Sequence, residues 1–210
     1  MIHKKQLSSM LQESVFIWLQ NCDELSAIDS RFGDGDHGIA IKKIALLLEK
    51  EIPLLGEKSM YDFFDDLGRG IMGICGGSAG PLYGTMIGGM GRPLDGKTEI
   101  NATTLKQMFV SSLNEMQDIT NAKVGDKTMM DSLIPAVEAA LEADDDISAI
   151  LKAMSEAALK GADDSRAYVS KFGRAKSYKE ATIGTPDAGA VSTSLFLQGL
   201  YVGYKEESGH

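Results

Sequence analysis

Cationic residues are scarce in this chain, and so is cysteine. The 210 residues hold 21 Lys and Arg against 30 Asp and Glu, a formal net charge of −9 and a pI near 4.8. That balance argues against a nucleic-acid partner and against docking on an anionic membrane, since both need a positive face. A polyanion is admissible only where local cations or a metal ion invert the field. The two cysteines, Cys22 and Cys75, form neither a CxxC pair nor a disulfide framework, so the expectation is a reduced, cytoplasmic protein. Long apolar runs are missing too. Ser8, Ser9, Gln12, Glu13 and Gln20 interrupt the segment after Met1-Ile-His-Lys-Lys5, so no signal-peptide core forms. No stretch approaches the roughly eighteen apolar residues of a membrane span. Strand-period alternation is absent, and no repeat, low-complexity tract or linker divides the chain.

Helical periodicity is what the chain has in quantity. With 43% apolar and 24% charged residues it has the composition of a globular protein with a real core. Apolar residues at i, i+3 and i+4 predict a first helix over about 4–27 and a second over about 37–51, ending before Pro53. A third is capped by Ser59 and runs through Ile71; a fourth begins near Ser78-Ala79-Gly80-Pro81. A fifth covers about 103–119, with Asn101 as its start rather than a glycosylation site. Asp126 is read as the cap of a sixth, kinked at Pro135, and the acidic run Glu142–Asp146 as the turn that caps a seventh over about 147–162. Residues 164–186 resist assignment. A last helix follows Asp187-Ala-Gly-Ala190, with Val191, Leu195, Phe196 and Val202 on one face and Gly199 permitting close packing. The predicted fold is all-α: an up-and-down bundle of about eight amphipathic helices, one domain spanning 1–210.

Chemistry concentrates in Asp29-Ser-Arg-Phe-Gly-Asp34-Gly-Asp36-His37-Gly38. Three carboxylates share a glycine-rich loop that opens a helix. Glycine and aspartate let the backbone turn so that carboxylates converge, and their repulsion is relieved by a hard, oxygen-preferring cation such as Mg2+. The competing reading is a solvated acidic connection. An EF-hand fails, because the twelfth position from Asp34 is Ala45 instead of Glu, and a zinc site lacks clustered Cys and His. Gly76-Gly-Ser78-Ala79-Gly80 at a helix start suits either an anion site or tight helix packing. Lys127 would pair with phosphate or snorkel. Lys171-Phe-Gly-Arg174-Ala-Lys176 is either a solvated face or a phosphate clamp. Gly91-Arg-Pro-Leu-Asp-Gly96-Lys97-Thr98 fits the P-loop pattern letter for letter, yet no strand precedes it and no helix follows, so a surface loop is expected. Carboxylates for metal, helix starts for phosphates and a basic loop together point to phosphoryl transfer.

Five motifs in order, Gly33-Asp-Gly-Asp-His-Gly38, Gly76-Gly-Ser-Ala-Gly-Pro81, Gly125-Asp-Lys-Thr-Met129, Gly173-Arg-Ala175 and Pro186-Asp-Ala-Gly-Ala190, resemble those of the dihydroxyacetone kinase family. The similarity is to its nucleotide-binding L subunit, the C-terminal domain of the single-chain enzymes, and it implies that the helices form a closed up-and-down antiparallel barrel. It implies a phosphotransferase with ADP or ATP and two Mg2+ ions held by Asp29, Asp34 and Asp36. It also implies nucleotide contacts from His37, Gly38, Ile39, Ala40, Ser78, Ala79, Met129, Asp187, Ala188 and Gly189, with Arg174 on phosphate as a catalytic residue. The implied partners are a separate ketose-binding K subunit and a phosphotransferase-system donor protein, with a homodimer also admissible. Departures stand out: Ala40 replaces a common Asn, and Ala181 falls where a second arginine is usual. The latter favours exchange of ADP for free ATP, and the acceptor stays open between dihydroxyacetone and a ketotetrose. A fatty-acid-kinase nucleotide domain ranks lower, as the metal loop lacks Asp-Gly-Asp-Thr-Gly-Thr-Asn. A non-catalytic nucleotide-sensing adapter is the alternative of a different class.

Overall fold

The computed structural model describes residues 1–74 and 77–208, so Cys75 and the first glycine of Gly76-Gly-Ser78 lie outside the described residues. Eight α-helices follow one another: α1 (Lys4–Asp29), α2 (His37–Glu51), α3 (Met60–Met72), α4 (Ala79–Gly89), α5 (Ala102–Ile119), α6 (Met130–Glu142), α7 (Ile147–Asp164) and α8 (Ala188–Ser208). Three starts use the side chains expected of them. Ser59 accepts the Asp62 N–H at 3.0 Å, Asn101 the Thr104 N–H at 2.8 Å and Asp146 the Ala149 N–H at 2.9 Å. Each such cap stabilises by about 1 kcal/mol. Among the described residues the extended structure is a single antiparallel bridge, Ile2 to Ile100.

Each helix packs on the next, and α8 packs on α1, which closes the ring. Inside it Trp18, Tyr83, Phe63, Phe64, Phe109 and Phe196 are fully buried. The α1–α8 seam depends on Gly199: a Cβ there would lie 2.3 Å from the Ser14 Cα. Across that seam the Ser14 hydroxyl donates to the Phe196 carbonyl at 2.8 Å.

Two local expectations need correction. Asp126 does not cap α6; the helix starts at Met130, and residues 125–128 form a turn whose Gly125 and Thr128 N–H groups bond the Asp131 carboxylate at 2.6 Å each. The inward residues of α8 also differ in part from those expected. Phe196 and Gly199 are buried as read, but Val191, Leu195 and Val202 are only half-buried, and Ser192 and Gly203 are buried instead. The reason is crowding: α8 touches α1, α2, α6 and α7, so small and hydroxyl side chains replace bulk where backbones approach. The P-loop-like stretch is a 3-10 turn, Arg92–Leu94, at the α4–α5 connection, where Arg92 links Asp65 (3.0 Å) and Glu115 (2.5 Å). It lies away from the cleft described below, and the surface-loop expectation holds.

Candidate functional site

In an antiparallel ring alternate helices begin at the same end. Here α2, α4, α6 and α8 start around one cleft of about 380 Å³, lined by His37, Ser78, Ala79, Thr128, Met129, Asp187, Ala188 and Gly189 from those starts. First-turn amides have no acceptor within their own helix, and the helix dipoles add positive potential. Four such ends around one cavity make a strong anion site inside an acidic protein.

Facing them is the carboxylate cluster. Asp29 is the last residue of α1, Asp34 lies in the connecting loop and Asp36 immediately precedes α2. Oxygens of all three lie within 4.8 Å of one another. The loop is folded to achieve this: the Gly35 N–H donates to Asp29 Oδ2 at 2.9 Å, with Gly35 at a φ of 76° that favours glycine. Asp36 stands at the N-cap position yet makes no capping bond; its carboxylate belongs to the cluster. Burial, with the charges of Asp34 and Asp29 beside it, raises the Asp36 pKa, and Arg174 opposes this only in part. Three converging oxygen donors that strain one another's ionisation fit a hard divalent cation such as Mg2+.

The glycine-rich start of α4 abuts this cluster. A Cβ on Gly77, whose φ is 58°, would lie 3.9 Å from Asp36 Oδ2. Ser78 occupies the N-cap position of α4 but its hydroxyl makes no capping bond, and it faces the cleft. Arg174 forms an ion pair with Asp34 at the rim. Asp187 Oδ2 accepts the Ala190 N–H at 2.8 Å at the start of α8, and burial pushes its carboxyl up to about 7. The His37 ring is bonded through Nε2 to Ser192 Oγ at 2.8 Å, and burial lowers its pKa to about 4. It is therefore neutral at pH 7.

The structure thus brings together Asp29, Asp34, Asp36, His37, Ala40, Ser78, Ala79, Met129, Arg174, Asp187, Ala188 and Gly189. Two expected residues do not line the cleft. Ile39 is 56% exposed. Gly38 is turned into the α1–α2 contact, where a Cβ would lie 1.9 Å from the Cys22 carbonyl oxygen. Its small size serves packing, and only its first-turn amide is left for a ligand. The sequence did not reveal Tyr83 or Ser192, whose hydroxyls lie 2.6 Å apart under the cleft, because Tyr83 reads as an ordinary core position and no local pattern marks Ser192. Nor did it reveal Phe32, whose ring packs at a 58° tilt against Tyr178 with centroids 5.2 Å apart. Lys127 borders the cleft but does not snorkel; it is buried, with its Nζ bonded to two carbonyls.

Known proteins resemble this chain in sequence and in fold. One relative, 32% identical over 179 residues, is the ADP-binding subunit DhaL of PEP-dependent dihydroxyacetone kinase 2 of Listeria innocua, with 83% of each chain covered. The corresponding subunit of Escherichia coli is 26% identical over 94% of this chain and all of that one. L-erythrulose kinase of Pectobacterium atrosepticum is 31% identical over 88% of this chain, which spans only 32% of that longer enzyme. Among solved structures, dihydroxyacetone kinase of C. freundii superposes with a TM-score of 0.71 at 23% identity, over 93% of this chain and 34% of that one, which shows the all-α fold. Residues 31–202 match the DAK2 domain, and the chain belongs to that family.

Proposed function

We propose that this chain is the nucleotide-binding, phosphoryl-transferring subunit of a dihydroxyacetone or related short-ketose kinase, acting on a sugar held by a separate K subunit. One observation carries the reading: the Asp29, Asp34 and Asp36 cluster faces four helix starts across a single cleft, with Arg174 at its rim. The relatives named as ADP-binding kinase subunits support it, as does the C. freundii enzyme in complex with AMP-PNP and Mg2+, which has the same fold with a TM-score of 0.69. We take residues 1–210 as one nucleotide-binding domain.

Asp29, Asp34 and Asp36 would hold Mg2+, two ions on this reading, and the metal would supply charge neutralisation between nucleotide phosphates. The chain's own residues do the rest. First-turn amides at His37, Gly38, Ser78 and Ala79 donate to phosphate oxygens in the cleft, and Ser78 adds a hydroxyl donor. Arg174 exchanges Asp34 for a phosphate oxygen. Met129 packs against the base. Neutral His37 holds the start of α2 against α8 through Ser192, without adding a charge. The acceptor hydroxyl comes from the K subunit, so this chain positions and neutralises and needs no general base.

The erythrulose kinases among the relatives favour a ketotetrose as a second acceptor reading. Ala181 is exposed and uncharged at the end of the 174–182 segment, which favours a nucleotide that exchanges with free ATP over one recharged in place by a phosphotransferase-system protein. The test is turnover with a cognate K subunit, ATP and either ketose. Asp34→Asn or Asp36→Asn is expected to lower the rate on the order of a hundredfold or more. Undiminished turnover in those variants, or no binding of Mg-nucleotide to the native chain, refutes the proposal.

A further inference from the structure

Lys127 is the buried cation whose purpose the phosphoryl-transfer reading leaves unassigned. It is 4% exposed. Its φ of 63° makes it one of two non-glycine residues in the left-handed region among those described. A lysine held there is strained unless its surroundings fix it, and fixed strain clusters at functional sites. Its Nζ donates to the Ser165 carbonyl at 2.6 Å and to the Thr185 carbonyl at 2.5 Å.

Those two carbonyls lie at the ends of one excursion of the chain. Ser165 follows α7 and Thr185 precedes α8; between them run residues 166–184, which include Arg174. Ser165 Oγ also accepts the Asp187 N–H at 2.9 Å, so the same point sets the start of α8. The residue beside Lys127 holds the middle of the excursion. The Asp126 carbonyl accepts the Lys171 N–H at 3.1 Å, and Asp126 Oδ1 pairs with Lys171 Nζ at 2.5 Å. The 125–129 turn is thereby tied to both cleft-lining stretches, 170–175 and 185–189.

We propose that Lys127 is a positioning residue for the nucleotide cleft, a buried staple that sets the separation of the Thr185–Gly189 wall from the end of α7 and so places Arg174 and Asp187. A carbonyl pair needs a donor with more than one N–H in a small volume, which an ammonium supplies and a methionine of similar length does not. Burial lowers the Lys127 pKa, while Asp187 and Asp131 oppose this and favour the charged form. The role rests on the cleft being the nucleotide site, but the staple itself is testable without nucleotide.

The experiment compares native protein with Lys127→Met and Lys127→Arg by amide hydrogen exchange without ligand, and by calorimetric titration with Mg-ADP. In Lys127→Met, amides of residues 183–191 are expected to exchange at least tenfold faster while those of residues 8–20 in α1 keep native rates. Mg-ADP is expected to bind at least tenfold more weakly, and Lys127→Arg to recover most of both losses. Native exchange at 183–191, or uniformly faster exchange with native affinity, overturns the proposal. Should Lys127→Met not fold, Ser165→Ala removes the link to the Asp187 N–H. It is expected to loosen 185–190 and weaken binding severalfold, and native behaviour in that variant overturns the proposal equally. If native protein binds no nucleotide, the kinase reading falls, and the exchange rates alone decide the staple.

Discussion

Asp187 serves two ends at the start of α8. Its Oδ2 accepts the Ala190 N–H, while its burial, next to Asp131 and opposed by Lys127, pushes the carboxyl up to about 7. The unfolded chain releases that proton near pH 4, roughly the value of an unperturbed aspartate. Between these values the folded protein binds the proton and the unfolded chain does not, so stability is greatest below pH 4 on this account and is lost as pH rises through about 7. Asp187→Asn keeps an oxygen for the Ala190 N–H but cannot titrate. Urea unfolding from pH 4 to 8 should therefore show a decline smaller by up to about 4 kcal/mol in the variant. An identical decline would mean that Asp187 ionises freely. At this same scale the carboxylate cluster was legible, because Asp29, Asp34 and Asp36 are near neighbours in sequence and glycine spacing advertises the turn. The hydrogen bonds among His37, Tyr83 and Ser192 were not, since their partners stand 109 and 155 positions apart.

Helices carry the next level of the argument. Their existence follows from 3.6-residue periodicity, and their starts follow wherever a Ser, Asn or Asp is free to cap, as at Ser59, Asn101 and Asp146. Asp126 breaks the rule because Lys171 takes its carboxylate, and the cap-like bonds pass to Asp131 five residues on. Gly199 is the clearest element-scale test. Gly199→Ala places a Cβ 2.3 Å from the Ser14 Cα, backbone against backbone, so α8 must move away from α1. A loss of about 2–3 kcal/mol is expected, read as a lower denaturation midpoint at unchanged m-value. Native stability in the variant would show that the seam is looser than its geometry. Helix propensity alone forecasts the opposite sign, since alanine is the better helix former.

At the scale of the whole molecule, the cleft is assembled from the end of α1, the 170–175 segment and the starts of α2, α4, α6 and α8. A ligand bound there would bridge several of these segments at once. Mg-ADP at one hundred times its dissociation constant should stabilise by about 2.7 kcal/mol. For a chain of this size that raises the melting temperature by about 5–10 °C. EDTA should abolish most of the rise, because the phosphates would then meet Asp29, Asp34 and Asp36 without an intervening cation. A rise that survives EDTA would point to binding that does not use the carboxylates. Among the described residues no helix is long and apolar enough to cross a membrane, consistent with the short apolar runs.

The sequence by itself determined the all-α class, most helix boundaries within a few residues, and the clustering of Asp29, Asp34 and Asp36 in one glycine-rich loop. Those depend on periodicity, capping and turn-forming residues, which act over a few positions. Only the tertiary structure decided which helix starts share a cleft, that Gly38 packs and does not bind through a side chain, and that Lys127 is a buried staple. Closure of the ring sets those relations, through contacts between α1 and α8 and between the 125–129 turn and residues beyond 165. No local pattern encodes a partner that far along the chain, so packing had to choose it.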